Sequence, residues 1–132
     1  LKVWACDSNL LNISAAPGLL YQRENIPDYL MEGKLVEEVK QGWQFTKEIR
    51  DLVLFEYHDI VNGTTLPELD LIVARDLVSF YSPAQKEKLV ADFYEKLTPG
   101  GLLVIGSNER VFFPGLTLIC EGNIVAYRKE KE

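Results

Sequence analysis

One block of the sequence, residues 69–105, leaves few folds open. It begins with LDLIVA at 69–74, a nearly continuous apolar run. Such runs suit a parallel strand covered on both faces. Ser82-Pro83-Ala84-Gln85 then reads as a helix start. Ser82 can cap, Pro83 suits the first helical position, and Gln85 completes a capping box. Leu89, Phe93 and Leu97 recur every four residues and form a core-facing stripe. Thr98-Pro99-Gly100-Gly101 stops the helix, and LLVI at 102–105 is the next strand.

The flanks extend this pattern. Residues 2–6 (KVWAC) read as a short strand closed by Asp7. Asp7-Ser8-Asn9 offers N-cap chemistry for a helix from about Leu10, which Pro17-Gly18 ends. In residues 26–47, Pro27, Tyr29, Leu30, Leu35, Val36 and Val39 suggest one or two helical pieces broken near Gly33. Residues 46–51 suit a further turn, residues 52–57 (LVLFEY) a strand, and Asn62-Gly63 a turn. Residues 116–120 and 124–127 pair across Glu121-Gly122-Asn123 as a terminal hairpin. The expected architecture is one α/β layered domain over residues 1–132, mostly parallel, with an antiparallel C-terminal edge.

Composition excludes several classes. An apolar fraction of 47% with 26% charged residues is globular rather than disordered. Net charge is −6, and an acidic surface repels phosphate backbones, so nucleic acid is not expected as a partner. Arg128, Lys129 and Lys131 alternate with glutamates in a tail read as a solvated end. No apolar run reaches the length of a membrane span, and no signal-peptide pattern is present. Cys6 and Cys120 lie in apolar runs without metal spacing, and are expected as buried free thiols in a reducing cytoplasm. The chain opens inside strand-like residues, which suggests a piece cut from a longer protein.

Ligands of open α/β sheets bind beyond the carboxyl ends of the strands. The polar residues expected there are Asp7, His58, Asp59, Arg75, Asp76, Ser107, Asn108 and Glu109. A carboxylate ending an early strand can hold a ribose diol, so Asp7 is either a ribose ligand or a helix cap. Asp59 either accepts an adenine amine or is an ordinary loop acid. Arg75 and Asp76 are either a site or a structural ion pair. His58 is a general base only if a partner orients it, and is otherwise structural. Cys6 reads as a small core residue.

At these positions the chain resembles a known family. Residues 1–9 (LKVWACDSN) resemble the second strand of the CheR-type chemotaxis receptor methyltransferases, which ends in Ala-Thr-Asp-Ile-Asp. Residues 69–81 (LDLIVARDLVSFY) resemble their Phe-Asp-Leu-Ile-Phe-Cys-Arg-Asn-Val-Leu-Ile-Tyr-Phe segment, and residues 85–106 their Leu-x-Pro-Gly-Gly unit. Glu109 falls on the Glu of a His-Ser-Glu triplet. The resemblance implies a Rossmann-like class I methyltransferase sheet and S-adenosylmethionine as cofactor. It implies that Asp7 binds the ribose and that Asp59 stands in for an Asn beside the adenine. It places Ile60 there as apolar packing, with Arg75 and Asp76 lining the cleft.

The departures point the other way. The family's first strand and its glycine-rich loop would precede Leu1, as would its N-terminal helical domain. Phe80 stands in the place of a reaction-centre Tyr, Asp76 in that of an Asn, and Ser107 in that of the His. The expectation is a degenerate domain that binds S-adenosylmethionine weakly or not at all. It would act as a binding or regulatory module in chemotaxis-type signalling, with a protein partner: a signalling protein, its own upstream domain, or a second copy. The competing expectation is a fragment of an active protein-glutamate O-methyltransferase. The family strand order 3-2-1-4-5-7-6 would leave a gap of roughly 9–10 Å where the first strand belongs. Buried backbone groups seldom stay unpaired, so residues 3–6 are expected to close onto residues 69–74.

Overall fold

The computed structural model describes residues 1–63 and 65–131, in two compact units, Leu1–Asp59 and Ile60–Glu132.

In the first unit, β1 (Val3–Asp7) and β4 (Val53–Tyr57) form a parallel pair, Val3 opposite Val53 and Asp7 opposite Tyr57. Between them comes α1 (Leu10–Ala15), capped by Asn9, whose side chain accepts the Leu11 N–H. Pro17 tightens its end into a 3-10 turn. Helix α2 (Asp28–Glu32) stops at Gly33, as expected. Beyond it the helical expectation fails. Lys34 takes φ +54, and the Leu35 N–H returns to the Leu30 carbonyl, closing the helix end. The chain then makes an antiparallel hairpin, β2 (Val36–Val39) with β3 (Gly42–Phe45). The apolar spacing of Leu35, Val36 and Val39 fits a helix by itself. Pairing Val36 with Phe45 and Glu38 with Trp43 sets these β-branched and aromatic side chains across a ladder instead. Tyr21 bridges to Trp43 with two backbone bonds, and its ring meets Phe45 edge-on. Helix α3 (Lys47–Arg50) leads into β4.

In the second unit, β5 (Leu69–Ala74) and β6 (Leu97–Ile105) are parallel and joined by α4 (Pro83–Lys96). Both halves of the predicted capping box are formed: Gln85 N–H to Ser82 Oγ, and Ser82 N–H to Gln85 Oε1. The stripe of Leu89, Phe93 and Leu97 is buried with Ala74, Val78, Leu103, Ile105, Val125 and Tyr127. Strands β7 (Leu116–Glu121) and β8 (Ile124–Lys129) close the sheet in the order β5-β6-β8-β7. The two ladders match the 3-2 and 4-5-7-6 runs of a Rossmann-like methyltransferase sheet.

Among the described residues β1 pairs with β4 and β5 with β6. Three expectations are corrected. β5 is covered on one face only, since Ile72 and Ala74 pack inward while Leu71 and Val73 are exposed. Both cysteines are exposed rather than buried. Lys129 is not a solvated tail residue. Its ammonium donates to the Tyr94 and Leu97 carbonyls at 2.9 and 2.8 Å and lies 4.4 Å from the Tyr94 ring centre. Those carbonyls end α4, where a cation is favoured. Glu132, the last acid of that tail, lies outside the described residues. No described helix is long and apolar enough to cross a membrane.

Lys129→Met keeps the aliphatic stem but removes both bonds. Urea unfolding should show a loss of about 1–2 kcal/mol; an unchanged midpoint would mean that the lysine does not hold the end of α4.

Candidate functional site

The expected site residues fall on both units, and each group is built by its own strands.

In the first unit, β1 and β4 run parallel and end together, so Asp7, His58 and Asp59 share one end of the pair. The His58 N–H donates to the Asp7 carbonyl at 3.0 Å. The Asp7 carboxylate braces the start of α1. Oδ1 accepts the Asn9 N–H at 2.7 Å, and Oδ2 accepts from Asn12 Nδ2 at 2.9 Å. The Asn12 bond first, then the Asn9 N–H, hold its pKa below the ordinary 3.8. Asp7 is thus an ionised carboxylate, with both oxygens engaged by neighbouring N–H groups. It is not the cap itself, which is Asn9.

His58 has the partner that the sequence did not reveal. Its Nε2 lies 2.9 Å from Glu56 Oε2, with the imidazole 11% exposed. Residues two apart on a strand share a face, which brings this pair together. Cys6 is in register with Glu56, and burial, then the Glu56 charge, push its thiol pKa up. A thiol shifted that way is a poor nucleophile.

The first unit also holds a cleft of about 730 Å³, lined by Ala16, Tyr21, Phe45, Ile49, Arg50 and Phe55 among others. Its walls come from α1, the hairpin and β4, so the helical expectation for residues 35–39 hid it.

In the second unit, residues 75–80 leave β5 and residues 106–109 leave β6 at the same end of the parallel pair. Arg75 is exposed, and it forms no ion pair with Asp76. Asp76 takes φ +56, a left-handed conformation that Asn and Asp tolerate best. Phe80 is 83% exposed at the end of a 3-10 turn, Val78–Phe80. Ile60 packs against the core of this unit.

Glu109 ties the two loops. It is 5% exposed, and its carboxylate accepts N–H bonds from Gly106, Asp76 and Ser79. Burial alone would raise its pKa, but the N–H bonds of Gly106, Ser79 and Asp76, with the Ser79 hydroxyl, bring it below the ordinary 4.5. Gly106 is required here, because an added Cβ would lie 2.2 Å from Asp76 Oδ1 and 2.9 Å from Glu109 Oε2. The Asp76 and Glu109 carboxylates therefore crowd one point. Among the described residues no cluster could hold a metal ion.

The family description "CheR methyltransferase, SAM binding domain" matches residues 1–123, across both units. This chain belongs to that family. It is 28% identical over 108 residues to "Chemotaxis protein methyltransferase 2" of Vibrio cholerae serotype O1, covering 78% of this chain and 37% of that protein. It is 26% identical over 96 residues to a chemotaxis protein methyltransferase of Listeria monocytogenes serovar 1/2a, covering 71% and 37%. The chain thus spans little more than a third of these relatives. The crystal structure of the N-methyltransferase NodS from Bradyrhizobium japonicum WM9 superposes with a TM-score of 0.57 at 16% identity, over 98% of this chain and 74% of that one. That likeness establishes the methyltransferase fold.

Two predictions follow from the charges. Asp76→Asn keeps the left-handed turn and removes a like charge from beside Glu109. Thermal unfolding should show a gain of ~0.5 kcal/mol at neutral pH, and a loss would mean that the crowding is harmless. The folded pKa of Asp7 is depressed, so its contribution to stability is complete above 3.8 and is lost as pH falls through the folded value. Stability plotted against pH should therefore be flatter below pH 3.8 in Asp7→Asn than in the wild type.

Proposed function

We propose that the chain is the cofactor-cleft part of a CheR-type protein in chemotaxis-type signalling, and that it serves as a binding or regulatory module without methyl transfer of its own. The observation that carries this reading is Phe80. It stands exposed at the end of the 3-10 turn that follows β5, where the family resemblance places a Tyr, and it offers no hydroxyl. The adjoining loop adds to it: the Asp76 carboxylate beside Glu109 would repel a glutamate substrate.

The residues present fit S-adenosylmethionine in part. Asp7, an ionised acceptor at a strand end, suits the ribose hydroxyls. The resemblance implies Asp59 beside Asp7 in the first unit, and Ile60, Arg75 and Asp76 in the second, as further cofactor residues; among the described residues Arg75 forms no ion pair. When bound, the cofactor supplies an electrophilic methyl group on a sulfonium. The partner would be a protein, either a signalling protein or a second copy. A cytoplasmic setting agrees with two free, exposed thiols, which persist where glutathione keeps them reduced.

The second reading is a segment of an active protein-glutamate O-methyltransferase. The intact Asp7 arrangement and the names of the relatives favour it. Calorimetry with S-adenosylhomocysteine separates the two. The expected result is no saturable binding in the micromolar range for this chain, and a micromolar dissociation constant would overturn it. Phe80→Tyr alone should give no methylation of receptor glutamates, because catalytic groups that act as a unit do not return singly. Turnover in that single variant would establish the second reading.

A further inference from the structure

Backbone N–H groups that converge on one point make a nest for an anion, usually a phosphate or carboxylate from outside the chain. Residues 76–79 and Gly106 form such a nest at the ends of β5 and β6. Its anion is internal. Glu109 Oε2 takes the N–H of Gly106 at 2.8 Å and of Asp76 at 2.9 Å, and Oε1 takes that of Ser79 at 2.9 Å. Two of these donors lie 33 and 30 residues earlier in the chain, so the carboxylate joins loops that no ladder joins.

We propose that Glu109 is a positioning residue, an internal anion that fills this nest and thereby fixes residues 75–80. Asp76 is held at φ +56, where a non-glycine residue needs support, and the supporting bond is on its own N–H. Ser79 is the middle of the turn that buries Val78 completely and leaves Phe80 83% exposed. The three N–H partners are loop backbone, the Ser79 hydroxyl adds to them, and none is a core side chain. A residue needed only to fill space could be apolar and cheaper to bury. Such a residue would leave three N–H groups without an acceptor.

The consequence for binding is specific. The three N–H groups are taken, so an arriving carboxylate or phosphate cannot use them. A ligand at this end of the sheet meets the side chains of Arg75, Asp76 and Phe80 instead. This holds whether or not the chain transfers methyl groups.

Chemical rescue tests it. Glu109→Ala in the full chain empties the nest, and formate is then titrated in while amide hydrogen exchange is followed by NMR. In the variant the amides of Asp76, Ser79 and Gly106 should exchange about tenfold faster, while those of Leu103 and Val125 in the sheet keep their rates. Formate should restore protection at the three loop amides, and chloride at equal ionic strength should not. Equal acceleration of loop and sheet, or formate acting no better than chloride, would overturn the proposal. Should Glu109→Ala not fold, Glu109→Gln decides. One acceptor oxygen remains in that variant, so protection should fail on one side of the nest only: at Ser79, or at Asp76 with Gly106. A uniform change across the unit would again overturn it.

Discussion

Two parallel strands cannot be joined by a tight turn, and everything in the second unit depends on how this chain meets that constraint. The return path from β5 to β6 is α4, which must start sharply, bury one face and stop sharply. Ser82 and Gln85 start it, and Leu89, Phe93 and Leu97 lay it on the sheet. Lys129, from a strand formed about thirty residues later, holds its end. With the crossover in place, β5 and β6 finish at the same end, and only then can Glu109 reach the loop after β5. The lock on the loop is thus a consequence of the helix.

The elements that could be read from sequence were those specified by neighbours in the chain. The capping box, the α4 stripe and the C-terminal hairpin carry their own signals within a few residues, whereas residues 98–101, read as a helix stop, belong to β6. The hairpin of β2 and β3 carries no such signal. Val36 and Val39 sit at a spacing that a helix would also use, and only pairing with Phe45 and Gly42 decides between the two. The cover of a strand is likewise non-local. LDLIVA looks doubly buried, yet Leu71 and Val73 stay more than half exposed.

The candidate site divides along the same line. Asp7, Arg75 and Asp76 were legible because each ends or follows a strand, where the ligands of such sheets gather. What each of them does was not legible. Asp7 braces α1 through Asn9 and Asn12, and His58 gains Glu56 through the two-residue period of β4. Glu109 stood out in the sequence by its place after a strand and by resemblance to a triplet. Its role lies in bonds to residues 30 and 33 positions away, which no local pattern encodes.

The uncovered side chains of β5 have a practical consequence. Leu71 and Val73 stand 52% and 63% exposed, on a strand that among the described residues forms a ladder along one edge only. Oily side chains beside free backbone donors and acceptors are what one polypeptide needs to stick to another. Handled by itself at high concentration, this stretch should foul columns, bind fluorescent dyes that report greasy surfaces, and lose material to precipitation. A charged side chain at Val73 would then be the simplest route to a well-behaved sample.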